Sequence, residues 1–123
     1  MKKFVFAVVI AAFCLILIAS NRADESPSIV YVDDDFNENT EGWNFTCFNS
    51  IQDAIERVNE NGTIFVFNGN YPENLTINKT LKIYGESRDK TIVDGKIIIF
   101  GKVEIKNITA RGINASSLNK IQD

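Results

Sequence analysis

Histidine is absent from all 123 residues. That excludes a histidine-based catalytic triad and a histidine-ligated zinc site. Basic charge is also scarce: beyond residue 23, 10 Lys+Arg face 16 Asp+Glu, a net of −6. A nucleic-acid binder needs a basic footprint, so this balance argues against that class. Apolar residues are thin over the same stretch. The whole chain is 45% hydrophobic, but 18 of those residues lie in Met1–Ala23, and only 37 are spread over the remaining 100. A globular domain usually holds ~45–50%, so the core can be only modest. Composition points to a small exported module rather than a complete enzyme.

The apolar residues are concentrated in one run. Met1-Lys2-Lys3 is basic, Phe4 to Ala19 is uninterruptedly apolar, and Ser20-Asn21-Arg22-Ala23 breaks the run with small and polar groups. This is the order of a secretory signal, so residues 1–23 are expected to be a signal peptide and 24–123 the mature domain. The alternative is an uncleaved membrane anchor over residues 4–19; the run is shorter than the ~18–20 residues of a spanning helix. Cys14 follows Phe13, where a lipoprotein signal would have a small residue. Cys47 reads as a small buried apolar residue, because without histidine its thiol lacks the usual base.

In the mature region one helix is expected over about residues 50–60. Ile51, Ala54, Ile55 and Val58 fall at i, i+3, i+4 and i+7, a single helical face. Ser50 before Asp53 suits a capping box, and Asn61-Gly62 a stop. Short strand-like runs surround it: Ser28–Asp33, Thr63–Phe67, Leu75–Ile77, Leu81–Tyr84, Thr91–Val93, Ile97–Phe100 and Val103–Ile105. Residues 24–123 hold 14 Ile and 6 Val but 3 Leu, a strong β bias. Runs this short suit a solenoid, with Phe65–Phe67, Leu81–Ile83 and Val103–Ile105 as stacked equivalents. An ordinary small α+β sheet is the other arrangement that the spacing allows.

Phe48-Asn49-Ser50-Ile51-Gln52-Asp53-Ala54-Ile55 is similar to the F-x-[ST]-I-Q-x-A-I stretch that opens many right-handed parallel β-helix proteins. Gly62-Thr63-Ile64-Phe65-Val66, the Gly69–Ile77 stretch, Leu81–Glu86 and Thr91–Gly95 follow in the order of that family, and Ile29–Asp35 resembles the first strand of archaeal surface proteins of the type. The resemblance spans roughly residues 28–112 and is to the pectate-lyase-like and pectin-esterase-like fold. It implies a mainly β fold: a short right-handed parallel β-helix with an N-terminal capping α-helix, truncated after two or three coils. Such a stack would leave an open C-terminal coil, a surface for self-association or a second chain.

The pectin-esterase-like members of that fold carry their paired Asp, Gln and Arg motifs in later coils, and these have no counterpart here. No catalytic, cofactor-binding or metal-ligating residue is therefore expected, and no cofactor. Asp33-Asp34-Asp35 offers hard carboxylate oxygens that suit calcium but lacks EF-hand spacing, so it reads as a solvated loop after the first strand. Trp43, Phe45, Tyr71 and Tyr84 are candidates for stacking on sugar rings, and core packing is the commoner role for such aromatics. Asn-x-Ser/Thr sequons occur at Asn44, Asn61, Asn74, Asn78, Asn107 and Asn114, against about 1.6 from random placement. That excess fits a glycosylated, exported chain.

The sequence reading is thus a non-catalytic extracellular or cell-surface β-helix module. Its expected partner is carbohydrate or a cell-envelope component, with no nucleic acid, and with membrane contact only through the N-terminal segment. The alternative is an N-terminal fragment or subunit of a polysaccharide-acting β-helix enzyme, a lyase or esterase, lacking its catalytic coils.

Overall fold

The computed structural model describes residues 26–113 and 121–122. Among these residues ten strands form two parallel sheets with one helix packed against them, in the order β1 (Ile29–Val32), β2 (Cys47–Phe48), α1 (Ile51–Arg57), β3 (Gly62–Val66), β4 (Gly69–Tyr71), β5 (Leu75–Ile77), β6 (Leu81–Gly85), β7 (Thr91–Ile99), β8 (Val103–Lys106), β9 (Thr109–Ile113) and β10 (Ile121–Gln122). The first sheet runs β10-β8-β6-β3-β1-β2; in the second, β4 and β5 both pair with β7, which pairs in turn with β9. Every strand pair is parallel.

Register puts like side chains in rows. Val30, Ile64, Ile83 and Ile105 align across the first sheet, and all four are buried. Leu75 and Ile97, then Ile77 and Ile99, align across the second sheet and are also buried. These rows meet in one core, which the β-branched residues fill at the period of two that a strand dictates. A second, smaller cluster of Tyr31, Phe36, Cys47 and Phe67, with Ile29 and Trp43 against it, packs where residues 36–48 fold over the first sheet.

The helix closes the core from the side. Ile51, Ala54 and Ile55 are buried, with Val58 at its C-cap. Its N-terminal N–H groups need acceptors from elsewhere. Ser50 Oγ accepts from Asp53 N at 3.4 Å, a long cap bond. Glu73, from the β4–β5 connection, does more: its carboxylate accepts from Ser50 Oγ at 3.0 Å, Ile51 N at 2.9 Å and Gln52 N at 3.0 Å. A negative charge there also suits the helix dipole. Gln52 reaches back to strand β5, accepting from Thr76 N at 2.9 Å and donating to Thr76 O at 3.2 Å. At the other end the Lys79 ammonium donates to the Glu56 carbonyl at 3.2 Å and to the Val58 carbonyl.

This architecture corrects the expected mainly β, N-terminally capped β-helix. Strands β1 and β2 precede α1, so the seven-residue helix is internal, and it packs on β1, β2, β3 and β5. The chain is a small mixed α/β domain with two parallel sheets. The spacing located the helix and, at Ser28–Asp33, the strand ahead of it; the two-residue β2 between them left no pattern. Phe65–Phe67 was expected to stack on Leu81–Ile83, but the register sets Phe65 against Tyr84 and Gly62 against Leu81. The signal peptide of 1–23 and its alternative, an anchor over 4–19, lie outside the described residues, among which no helix is long and apolar enough to cross a membrane.

Replacing Glu73 by Ala strips three donors of one charged acceptor and is expected to cost about 2–3 kcal/mol in urea unfolding. Glu73→Gln, which keeps an amide oxygen, should recover part of that loss.

Candidate metal centre

Strand β1 stops abruptly at Val32. Asp35 N donates to Asp33 Oδ1 at 3.0 Å, and Phe36 N donates to the Asp33 carbonyl at 3.0 Å. The first bond is an Asx turn, a local backbone alternative to extending the strand. The tight turn gathers three acids that would otherwise alternate between faces. Asp33, Asp34 and Asp35 each present a carboxylate oxygen within 4.8 Å of the others. Asp33 is only 1% exposed, whereas Asp34 and Asp35 face solvent. The group is thus half sunk in the protein and half open.

Neighbouring elements shape it. Asp34 lies against Gly69 of β4, where an added Cβ would stand 2.8 Å from the Asp34 carboxyl carbon. Tyr71, two residues on, is buried and donates its hydroxyl to the Phe67 carbonyl at 2.7 Å. Burial first, then the charges of Asp33 and Asp34, raise the Tyr71 phenol well above its ordinary value; a backbone bond from Asp34 works the other way, and Asp35 adds a little to the rise. Tyr71 therefore keeps its proton and is not a base. The adjoining corner is tied by Thr91 Oγ1 donating to Asn68 Oδ1 at 3.0 Å and by Asn68 N donating to Glu86 Oε1 at 2.9 Å.

Three carboxylates without nitrogen or sulfur donors suit a hard divalent cation of the calcium or magnesium class. Two expectations change accordingly. Asp33 is buried rather than part of a solvated loop, and the chain holds a carboxylate group capable of coordinating a metal, so the non-catalytic assignment is corrected toward catalytic capacity. Comparison with protein-family models, with curated proteins and with solved structures finds no match, so the pectate-lyase-like resemblance gains no support there.

The aromatics proposed for sugar stacking have their faces in use. Tyr71 is in the core and Trp43 packs on the smaller cluster. The Arg57 guanidinium lies over Phe45 at 4.8 Å, and Tyr84 sits between Phe65 at 5.9 Å and the Lys106 ammonium at 5.8 Å. Five of the six sequons fall in the described residues, and Asn114 lies outside them. Asn44, Asn61 and Asn107 have φ of 63°, 66° and 58°, a left-handed conformation that asparagine tolerates better than most residues. Asn74 Oδ1 accepts from Lys96 N at 2.9 Å. Asn78 is exposed in the turn after β5.

Glu73, Gly69 and Tyr71 were not singled out as neighbours of the helix and the acids. Nothing in their spacing marks those contacts, which are made across the two sheets.

Burial also pushes the Tyr31 phenol up to about 12. For both tyrosines folding favours the neutral form. The stability this supplies is complete below pH 10.0, the ordinary value, and is lost as pH rises through the raised values. Urea midpoints should therefore be flat up to that pH and fall beyond it. Tyr71→Phe should weaken the alkaline fall, and at neutral pH should cost about 1–2 kcal/mol for the lost hydrogen bond to the Phe67 carbonyl.

Proposed function

We propose that Asp33, Asp34 and Asp35 hold a hard divalent cation, and that the chain works as a metal-assisted, polysaccharide-acting enzyme or as the metal-bearing part of one. The observation that carries this reading is the convergence of three carboxylate oxygens within 4.8 Å at the end of β1. A cation there would have protein oxygens on one side and open positions toward solvent, where Asp34 and Asp35 lie. Bound calcium or magnesium acts as a Lewis acid and as a bridge to anionic oxygens, which favours a substrate bearing carboxylates, such as a uronate polysaccharide.

The protein's own groups have defined parts. Asp33 is fixed by its bond from Asp35 N, so its orientation precedes binding. Gly69 leaves room for the Asp34 carboxylate. Tyr71 holds the floor of the group as a neutral phenol.

Calorimetric titration with calcium and with magnesium tests the reading directly. Binding should be accompanied by a higher thermal midpoint, since saturation at about 100 times Kd adds about 2.7 kcal/mol. Asp33→Asn keeps the turn's acceptor but removes charge, and should weaken binding about tenfold or more. Absence of heat and of any midpoint shift at millimolar metal would remove the proposal. Given binding, depolymerisation or de-esterification of a uronate polysaccharide that stops on chelation would support the enzymatic part, and inactivity with metal bound would overturn it.

A further inference from the structure

Phe100 is 67% exposed, the most exposed large apolar side chain among the described residues. It stands at the end of β7, and its N–H donates to the Ile77 carbonyl at 2.8 Å. The register explains its neighbourhood. Ile77 pairs with Ile99, and both are buried. One position past the ends of β5 and β7 stand Asn78 and Phe100, both exposed; one residue further the two segments still run close, since a Cβ on Gly101 would come 2.3 Å from the Lys79 carbonyl. Asn78-Lys79-Thr80 is a sequon. An exposed aromatic ring thus lies alongside a sequon asparagine.

All five described sequon asparagines are exposed, so they differ in what their side chains and hydroxy residues already hold. Thr46, which completes the Asn44 sequon, is fully buried, with its hydroxyl enclosed. Asn74 has its amide oxygen engaged by Lys96 N, and its Thr76 is clamped by Gln52. Thr109, which completes the Asn107 sequon, donates its hydroxyl to the Arg88 carbonyl at 2.6 Å. Thr63, of the Asn61 sequon, lies within β3, paired on both sides. Asn78 and Thr80 lie outside the strands, with Asn78 exposed and Thr80 half-buried; the Thr80 backbone is bonded, its N–H donating to Glu60 Oε2 at 2.9 Å and its carbonyl accepting from Asn61 N at 2.7 Å. Lys79 between them is anchored on the helix end, which holds the turn in place.

We propose that Asn78 is the N-glycan acceptor of the folded chain and that its first sugar packs on Phe100. In the transfer, Asn78 Nδ2 attacks C1 of a sugar activated on a nucleotide or lipid diphosphate. The N–C1 bond forms, the C1–O bond to the diphosphate breaks, and the amide proton passes to a base of the transferase. The apolar face of the sugar covers the ring, an arrangement that aromatic side chains favour. Phe100 is then an aromatic that is exposed only until it is covered.

The folded chain, incubated with a purified sequon-specific transferase and its sugar donor, should be modified at Asn78 about tenfold faster than at any other sequon. The urea-unfolded chain should lose that preference. Peptide mapping by mass spectrometry reads both. The glycosylated protein should melt about 2–4 °C higher than the bare one, and Phe100→Ala should abolish that rise while still folding, since the ring is exposed. Modification of Asn44, Asn61, Asn74 or Asn107 at the rate of Asn78, or an unmodified Asn78, would overturn the site. An undiminished rise in Phe100→Ala would overturn the packing.

Discussion

The fold turns on a carboxylate that is distant in sequence from what it holds. Glu73 sits between β4 and β5, yet its oxygens take the first two backbone N–H groups of the helix and the Ser50 hydroxyl. A seven-residue helix is too short to be stable by itself. It exists because Ile51, Ala54 and Ile55 are buried and because Glu73 satisfies the end that would otherwise be bare. The backbone beneath Glu73 is equally constrained: a Cβ on Gly95 would come 1.9 Å from the Glu73 carbonyl, and one on Gly112 would come 2.0 Å from the Gly95 carbonyl. Three successive layers of chain pass through one point that admits no side chain.

The acids at the end of β1 belong to the same logic of close approach. Gly69 yields space to Asp34, and Tyr71 fills the floor below. The cluster is therefore a joint product of β1 and β4, each from a different sheet. Keeping Asp33 buried and Asp34 and Asp35 exposed gives the group an inner and an outer side. A cation site needs that polarity if it is to hold the ion and still meet a substrate.

Local pattern made much of the chain legible. The helical face of Ile51, Ala54, Ile55 and Val58 and the strands around Ile64, Ile77, Ile83 and Val103 were readable from spacing alone. The strands β2, β4, β9 and β10, which spacing does not show, read Cys-Phe, Gly-Asn-Tyr, Thr-Ala-Arg-Gly-Ile and Ile-Gln; they are too short or too polar for alternation to register. Asp94-Gly95, a residue pair common in turns, here lies inside β7, where it marks a register shift. The strand ahead of the helix is legible at Ser28–Asp33, but the division of the strands between two sheets depends on contacts distant in sequence, which spacing does not carry. The acidic run was plain in the sequence, but its half-buried placement depended on Gly69 and Tyr71, over 30 positions away.

The bond pair between Gln52 and Thr76 has a further consequence. A sheet edge normally presents bare N–H and C=O groups to any passing strand. Here the side-chain amide of Gln52 occupies both groups of Thr76, and the helix lies over that border. An incoming chain would have to evict an amide that imitates one more strand residue. The β5 stretch of that edge is therefore closed to an added strand, which removes one starting point for edge-to-edge growth into a fibre.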